Sequence, residues 1–537
     1  MSEAVREKSK VLSRDEFKSE VLEDYRIAFE SRQTSLLGRK EVLTGKAKFG
    51  IFGDGKELAQ VAMAKVFEKG DFRSGYYRDQ TFMFAKQISS VREFFAQLYA
   101  HVDVEAEPSS AGRSMNGHFG TRLLNLDGTW KKQTEMFNSS SDISPTAGQM
   151  SRLVGLAWAS KIYRANKKID VKEFFSRSGN EVAFGTIGNA STSEGHFWEA
   201  INAAGVLQIP MLVSIWDDEY GISVPAKYQT TKENLSSILS GFKTDKYGKG
   251  YQLYTVNGWD YAELIKTYKR AIAKCRKDHI PTIVHVVQIT QPQGHSTSGS
   301  HERYKSKERL AWETEFDCIV KFREWIESKK IASAKELDKL ESESVQLVRS
   351  EQKEAWTAYL DPISADQENA LDNLKALAVE SSNSEELERI IKSLGSNRTP
   401  NRKEIAKEIH RSLRLTVGED SEAREQLKKY LNFFNTTNFD RYNSYLHSHS
   451  ATSAQKIEEI PAVYSDSSPN LNGYEILQKT FEAIMERDPR VVAFGEDLGH
   501  IGDVNQGFAG LQEKFGEGRV MDTGIRENTI VGQAIGS

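Results

Sequence analysis

A chain of 537 residues has room for two or more domains, each able to bury a full core. Hydrophobic residues make up 38% and charged residues 28%, an ordinary globular balance, and a net charge of −4 gives no electrostatic reason to expect nucleic acid or an anionic membrane as partner. Two cysteines, Cys275 and Cys318, are too few for a disulfide framework or a metal quartet and suit a reducing compartment. The first twenty residues, MSEAVREKSKVLSRDEFKSE, are charged throughout and lack the apolar core of a signal peptide. The most apolar run, GVLQIPMLVSIW, is too short to span a bilayer and contains a proline. The expectation is a soluble, cytoplasmic protein.

From about Phe17 to Phe67 the pattern is helical, and it encloses GKAKFGIFGDGKELAQVAMA. Its Gly53-Asp54-Gly55 reads as a helix-initiating turn, with Asp54 near the N-terminus of KELAQVAMAKVF. Residues 150–290 alternate. VAFGTIG, SEGHFWEAINAAGVLQ and MLVSIW read as strand, helix, strand, and YQLYTV, YAELIKTYKRAIAKCRK and TIVHVVQI repeat the order. Apolar strands separated by such helices predict an α/β fold, a parallel sheet flanked by helices on both faces. The charged segment from about Ile319 to Phe433 reads as solvated amphipathic helices between two domains. The polar, turn-rich stretch ending in YSDSSPN reads as a linker, its His447/His449 pair lacking further ligands at metal spacing.

A second α/β unit begins at Asn472, which has capping-box spacing to Glu475 ahead of YEILQKTFEAIMERD. Two strand-like runs follow, RVVAFGED and GRVMDTGI, and the sequence stops at VGQAIGS inside a helix-like run of small residues. A folded domain is not expected to end there, so a longer chain is expected. The predicted domains are 1–330, a charged helical insert and linker at 331–471, and a partial second domain of the same α/β class at 472–537.

The strand VAFGTIG runs into GNASTSEGHF, and MLVSIW runs into Trp216-Asp217-Asp218-Glu219-Tyr220-Gly221. Ligands bind outside the carboxyl ends of strands in an open parallel sheet, so the two corners meet if their strands are neighbours. A diphosphate-bound Mg²⁺ takes near-octahedral oxygen ligation. Asn189 offers an amide oxygen, Asp218 a carboxylate and Tyr220 its backbone carbonyl, while a helix opening near Ser193 aims free N–H groups at the anion.

GNASTSEGHFWEAINAAGVLQIPMLVSIWDDEYGIS resembles the thiamine-diphosphate motif of the alpha subunits of 2-oxo acid dehydrogenases. That motif reads Gly-Asp-Gly, then Ala/Ser-Thr-Ser-Glu-Gly, and ends in Asn-Asn-x-Tyr-x-Ile-Ser. The resemblance implies Mg²⁺ ligation by Asn189, Asp218 and Tyr220, with Gly188, Ala190 and Ser191 in the cofactor-binding turn. One carboxylate is lost at 189 and one gained at 218, so the formal ligand charge stays at −1. Tyr77 and Arg78, in GYYRDQTFMFA ahead of GRSMNGHFG, resemble the pair that holds the diphosphate, and a guanidinium suits phosphate oxygens. Ser144 and Thr146, in ISPTAGQ, match the loop around the middle of the cofactor. His295, in GHSTSGSHERYKS, matches the catalytic histidine, which also lines the cofactor.

The second unit resembles the opening of the beta subunit of the same enzymes. Glu527 takes the place of the family's catalytic glutamate, with Gly524 where proline is common. Glu496, in GED, matches a carboxylate near the cofactor, although a strand-end residue also reads as structure. The resemblance covers about 20–330 and 472–537 and implies a fused 2-oxo acid dehydrogenase, a homodimer using thiamine diphosphate and Mg²⁺. It implies decarboxylation of a 2-oxo acid, branched-chain favoured over pyruvate, with transfer of the acyl group to the lipoyl group of a partner acyltransferase. Transketolase-like ketol transfer between sugar phosphates and a non-catalytic scaffold are the alternatives.

Overall fold

The structure is a computed structural model that describes residues 12–169, 172–451 and 453–537. In chain order its first strands are β1 (Phe72–Ser74), β2 (Asn138–Ser139), β3 (Ala183–Gly188), β4 (Met211–Trp216), the hairpin pair β5 (Tyr220–Gly221) and β6 (Val224–Pro225), β7 (Gln252–Asn257) and β8 (Thr282–Val287). Six of them form one sheet in the order β2-β1-β3-β4-β8-β7, with every pairing parallel.

The strands carry two cores through the period-2 alternation of their side chains. Ala183, Ile187, Met211, Val213, Ile215 and Ile283 face the helices Gln149–Ala165 and Gly195–Leu207. Phe184, Leu212, Trp216, Val284 and Val286 face the helices Glu57–Ala64 and Tyr261–Asp278 on the other side. Both faces are therefore covered, which is why β3 and β4 read as unbroken apolar runs. Each large side chain so buried contributes roughly 1.5–3 kcal/mol.

The charged region is more than solvated helix. The 47-residue helix Ala334–Glu380 starts at a Ser333/Glu336 capping box, and its first half buries Leu337, Val348 and Ala355 in the core under the sheet. Its second half joins the helices Ser384–Ser396, Arg402–Leu415 and Glu422–Tyr442 around a separate core that includes Ile363, Leu374, Leu377, Leu387, Ile390, Ile405, Ile409 and Leu427. Pro362 lies inside the long helix, where it cannot donate to the carbonyl of Ala358. The His101 ring Nε2 lies 3.2 Å from that carbonyl and fills the missing bond.

In the last segment Asn472 and Glu475 form the expected capping box ahead of the helix Gly473–Arg487. The strands β9 (Ala493–Gly495) and β10 (Val520–Asp522) pair in parallel. The terminal helix Glu527–Gly536 lies along the 149–165 helix. Gly155, Gly532 and Gly536 make this approach possible, because a Cβ at Gly155 or Gly536 would overlap the facing backbone, and one at Gly532 would overlap Ser151. Among the described residues no helix is long and apolar enough to cross a membrane.

Gly532→Leu is expected to pry the two helices apart at a cost of about 1–3 kcal/mol. Hydrogen exchange would show faster exchange across residues 527–536 while β3 and β4 stay protected; unchanged protection of 527–536 would refute the close-packing account.

Candidate functional site

The chain leaves β1 toward β2 on one side and returns to β3 on the other, so the ends of β1 and β3 form a switch point of the sheet. Tyr77 and Arg78 follow β1, and Asn189 follows β3. The neighbouring β4 ends in register with β3, Gly188 opposite Trp216, and leads to Asp218 and Tyr220. The Asn189 backbone N–H donates to the Trp216 carbonyl at 3.0 Å. A Cβ placed on Gly221 would stand 2.7 Å from Ala190 Cβ and 2.6 Å from Gln229 Oε1, so the two corners touch. The three oxygen donors expected to share a cation thus lie at adjoining strand ends.

Local geometry fixes those donors. Asp218 Oδ1 accepts the Tyr220 N–H at 3.2 Å, and the Asp218 carbonyl accepts from Arg309 at 3.0 Å. The Tyr220 ring meets two cations, Lys305 Nζ at 5.3 Å and the Arg309 guanidinium at 5.4 Å from its centroid. Glu219 and Ile222, on either side of Tyr220 and Gly221, adopt φ of 65° and 59°, left-handed conformations that cost a side-chain-bearing residue roughly 1–2 kcal/mol each. Strain of this kind gathers where a backbone group must point in one direction. Ala190 and Ser191 belong to the tight turn Ala190–Ser193, closed by a 2.6 Å bond from the Thr192 hydroxyl to the Asn189 carbonyl.

Arg78 joins the β1 corner to the histidine loop. Its guanidinium donates to the Phe52 carbonyl at 2.6 Å, the His295 carbonyl at 2.9 Å and His295 Nδ1 at 3.0 Å. A guanidinium only donates, so Nδ1 is the acceptor and the ring proton sits on Nε2. Burial pushes the His295 pKa down to about 4, the Arg78 charge adding to the effect and Asp218 opposing it. The ring is therefore neutral at neutral pH.

Tyr77 packs beside Tyr76, with ring centroids 4.9 Å apart, and stacks on His118 at 6.1 Å. His118 Nε2 lies 2.9 Å from the Ser144 hydroxyl. The GRSMNGHFG segment thus supplies a site residue of its own, which sequence reasoning treated only as context for Tyr77. The spacing that could have marked it is the glycine before it. Gly117 has φ of 81° and runs so close to the Tyr77 carbonyl that a Cβ would not fit. Thr146 is exposed on the same loop as Ser144, just ahead of the 149–165 helix.

The turn Gly53-Asp54-Gly55 initiates the 57–64 helix as expected, yet it also borders the site. A Cβ on Gly53 would overlap the Arg78 carbonyl, and one on Gly55, φ 85°, would overlap that of Thr290. Buried Asp54 accepts the Gln293 N–H at 3.0 Å and so steadies the His295 loop. The next residue, Lys56, is a buried cation whose Nζ lies 3.0 Å from Gln291 Oε1 and 3.5 Å from Asp218 Oδ2. Desolvation lowers its pKa, with Asp218 opposing. In the sequence it reads only as the first polar residue of a helix.

Glu527 opens the terminal helix and is exposed. Its neighbours place it near the same end of the sheet: Asn528 Oδ1 accepts from Ser151 at 3.1 Å, and Thr529 donates to Glu199 at 2.8 Å, one turn into the 195–207 helix. Glu496 is exposed just beyond β9, and among the described residues no hydrogen bond or ion pair joins it to the Asn189–Asp218 corner. Among the described residues no group of three or more His, Cys, Asp or Glu side chains stands ready for a metal.

Residues 28–363 match the family described as Dehydrogenase E1 component, and residues 471–537 match that described as Transketolase, pyrimidine binding domain. Both are thiamine-diphosphate-binding families, which indicates that cofactor. The chain is 27% identical over 284 residues to the 2-oxoisovalerate dehydrogenase subunit alpha of Bacillus subtilis, covering 53% of this chain and 74% of that protein. It is 25% identical over 328 residues to the pyruvate dehydrogenase E1 component subunit alpha of Acholeplasma laidlawii, covering 61% and 81%. Its last part is 48% identical over 62 residues to the beta subunit from the same organism, covering 12% of this chain and 19% of that protein. With its alpha-like region and a beta-like pyrimidine-binding segment on one polypeptide, the chain belongs to the dehydrogenase E1 component family of 2-oxo acid dehydrogenases.

Proposed function

We propose that the chain binds thiamine diphosphate with Mg²⁺ and decarboxylates a 2-oxo acid, branched-chain in preference to pyruvate. The acyl group passes to the lipoyl group of a partner acyltransferase, and the working form is a homodimer. The observation that carries this reading is the convergence of Arg78, His295, Asn189, Asp218 and Tyr220 at adjoining strand ends. The branched-chain preference draws on the GHSTSGSHERY loop and on the 2-oxoisovalerate dehydrogenase relative.

The residues fit such a cofactor. A Cβ on Gly188 would meet only the Tyr76 hydroxyl at 3.6 Å and Ser191 Oγ at 4.0 Å, so the turn leaves room for a phosphate beside it. On the histidine loop both polar atoms of the Gln293 amide and the nearby Thr290 hydroxyl are buried without a hydrogen-bond partner, an arrangement that a polar ligand would relieve. Two cations, Arg78 and Lys56, stand near the oxygen donors that would complete a magnesium shell.

Thiamine diphosphate supplies an electron sink for the pair left behind when CO₂ departs from a 2-oxo acid. Arg78 would hold phosphoryl oxygens, and Asn189, Asp218 and Tyr220 would hold the metal. Ser144 and Thr146 line the cofactor's middle, with His118 orienting the Ser144 hydroxyl. Glu527 would hydrogen-bond the pyrimidine ring nitrogen. Neutral His295 presents Nε2–H to the substrate and guides acyl transfer; a charged imidazolium beside Arg78 would be repelled.

The decisive assay compares CO₂ release from 3-methyl-2-oxobutanoate and from pyruvate with ketol transfer between sugar phosphates. Ketol transfer without CO₂ release would overturn the reading in favour of transketolase chemistry, and calorimetry without any thiamine diphosphate binding would favour a scaffold. For the metal, Asp218→Asn is expected to weaken Mg²⁺-dependent cofactor binding by roughly tenfold or more, as a charged ligand is lost. The double variant N189D/D218N should recover most of that loss; failure to recover would show that the carboxylate has not changed places between the two corners.

The His295 ring should titrate near about 4 by NMR in the unliganded protein, and Arg78→Met should raise that value by removing the facing cation. Above the ordinary value of 6.5 the group adds no pH dependence to stability. Below it the unfolded chain takes up the proton first, so stability falls with pH until about 4. A titration near 6.5 would remove the case for a neutral ring held by Arg78.

A further inference from the structure

Lys56 has no counterpart among the residues that the family resemblance carries over, yet it is 2% exposed and faces the cation corner. Its position is built rather than incidental. Gly55 packs so tightly against the Thr290 carbonyl that no side chain fits there, and the Lys56 N–H donates back to the Gly53 carbonyl at 3.3 Å. The Gln291 amide donates to the Gly294 carbonyl at 3.0 Å, which aims its oxygen at Lys56 Nζ.

An ammonium has three donors, and burying one is costly unless it is closely paired. Here one donor meets a neutral amide and another a carboxylate at 3.5 Å, longer than a hydrogen bond. Among the described residues the remaining donor has no partner, and the carboxylate stands at ion-pair rather than hydrogen-bond distance, which leaves the ammonium able to take an anion. The exchange at 189 and 218 has the same logic. The carboxylate gained at 218 lies beside the lysine, so Asp218 and Lys56 cancel each other and a metal there meets less net negative charge.

We infer that Lys56 is a diphosphate-binding residue, an ammonium that contacts phosphoryl oxygen directly and makes anion binding at this corner partly independent of a divalent cation. This assignment deepens the cofactor reading and rests on it for the identity of the natural ligand, but not for the anion chemistry.

The test is calorimetry on the full chain with inorganic diphosphate and, separately, thiamine diphosphate, each in EDTA and in Mg²⁺. The unmutated chain should bind inorganic diphosphate in EDTA. Lys56→Gln should weaken that binding roughly ten- to hundredfold, the value of a hydrogen bond to a charged group, and weaken binding in Mg²⁺ less. Asp218→Asn, which frees the ammonium from its carboxylate, should tighten diphosphate binding in EDTA while loosening the Mg²⁺-dependent cofactor. This arm also decides the matter if Lys56→Gln does not fold. Equal binding in EDTA by the unmutated chain and Lys56→Gln, an unchanged or weaker affinity in Asp218→Asn, or diphosphate binding that requires Mg²⁺ would each overturn the inference. Lys56-dependent binding of inorganic diphosphate without binding of thiamine diphosphate would instead overturn the cofactor reading and leave Lys56 in place.

Discussion

The site is held in shape by a guanidinium that never meets solvent. Arg73, on β1, is fully buried and donates to Asp79 at 2.6 and 2.9 Å, to Asp142 at 3.0 Å, to the Ser139 hydroxyl at 2.9 Å and to the Tyr76 carbonyl at 3.2 Å. Asp79 in turn accepts from the Thr186 hydroxyl on β3 and from the Trp216 indole on β4. One side chain thereby clamps both ends of the loop that carries Tyr77 and Arg78, and the start of the loop that carries Ser144 and Thr146. Removing one member of such a buried cluster strands the others, at a cost of about 3–5 kcal/mol, so the loops above it have little freedom.

Above the clamp, charge rather than residue identity is the quantity to follow. The amide of Asn189, the carboxyl of Asp218 and the buried Lys56 share one corner, and Arg78 stands at its edge. On the proposed reading, shifting a carboxylate from the first strand end to the second would leave the formal charge of the oxygen donors at that corner unchanged. It also gives a lysine, itself fixed by a glycine turn, the counter-charge it needs while no ligand is bound. In the proposed site, metal ligation and direct anion binding would draw on the same carboxylate, which would couple the two.

Much of the scaffold could be read from the letters. β3, β4, β7 and β8 are apolar runs between amphipathic helices, and the Asn472/Glu475 box stands in the structure as spelled. β1 and β2 could not be read, since three and two residues show no periodicity and owe their place to the pairing of β1 with β3, of β2 with β1, and to Arg73. Arg73, Asp79 and Asp142 look like ordinary surface charges until the fold brings them together. Lys56 and His118 were hidden for a related reason: each sits beside a glycine whose purpose is a long-range backbone approach, to Thr290 in one case and to Tyr77 in the other. The helical insert showed its amphipathic stripes, but a stripe does not name its partner, and so the second core went unseen.

The long helix that passes through Pro362 is a shaft shared by two cores, keyed to the lower one at Ala355 and to the upper one at Ile363. An α-helix advances about 100° per residue, so a single residue added or lost between those two keys would swing the whole upper bundle by that angle around the axis. It would also carry the Ala358 carbonyl away from His101, in the segment that leads to His118. The phase between the bundle and the sheet is set by counting residues along one shaft, and additions close to a full turn of about 3.6 residues disturb it least.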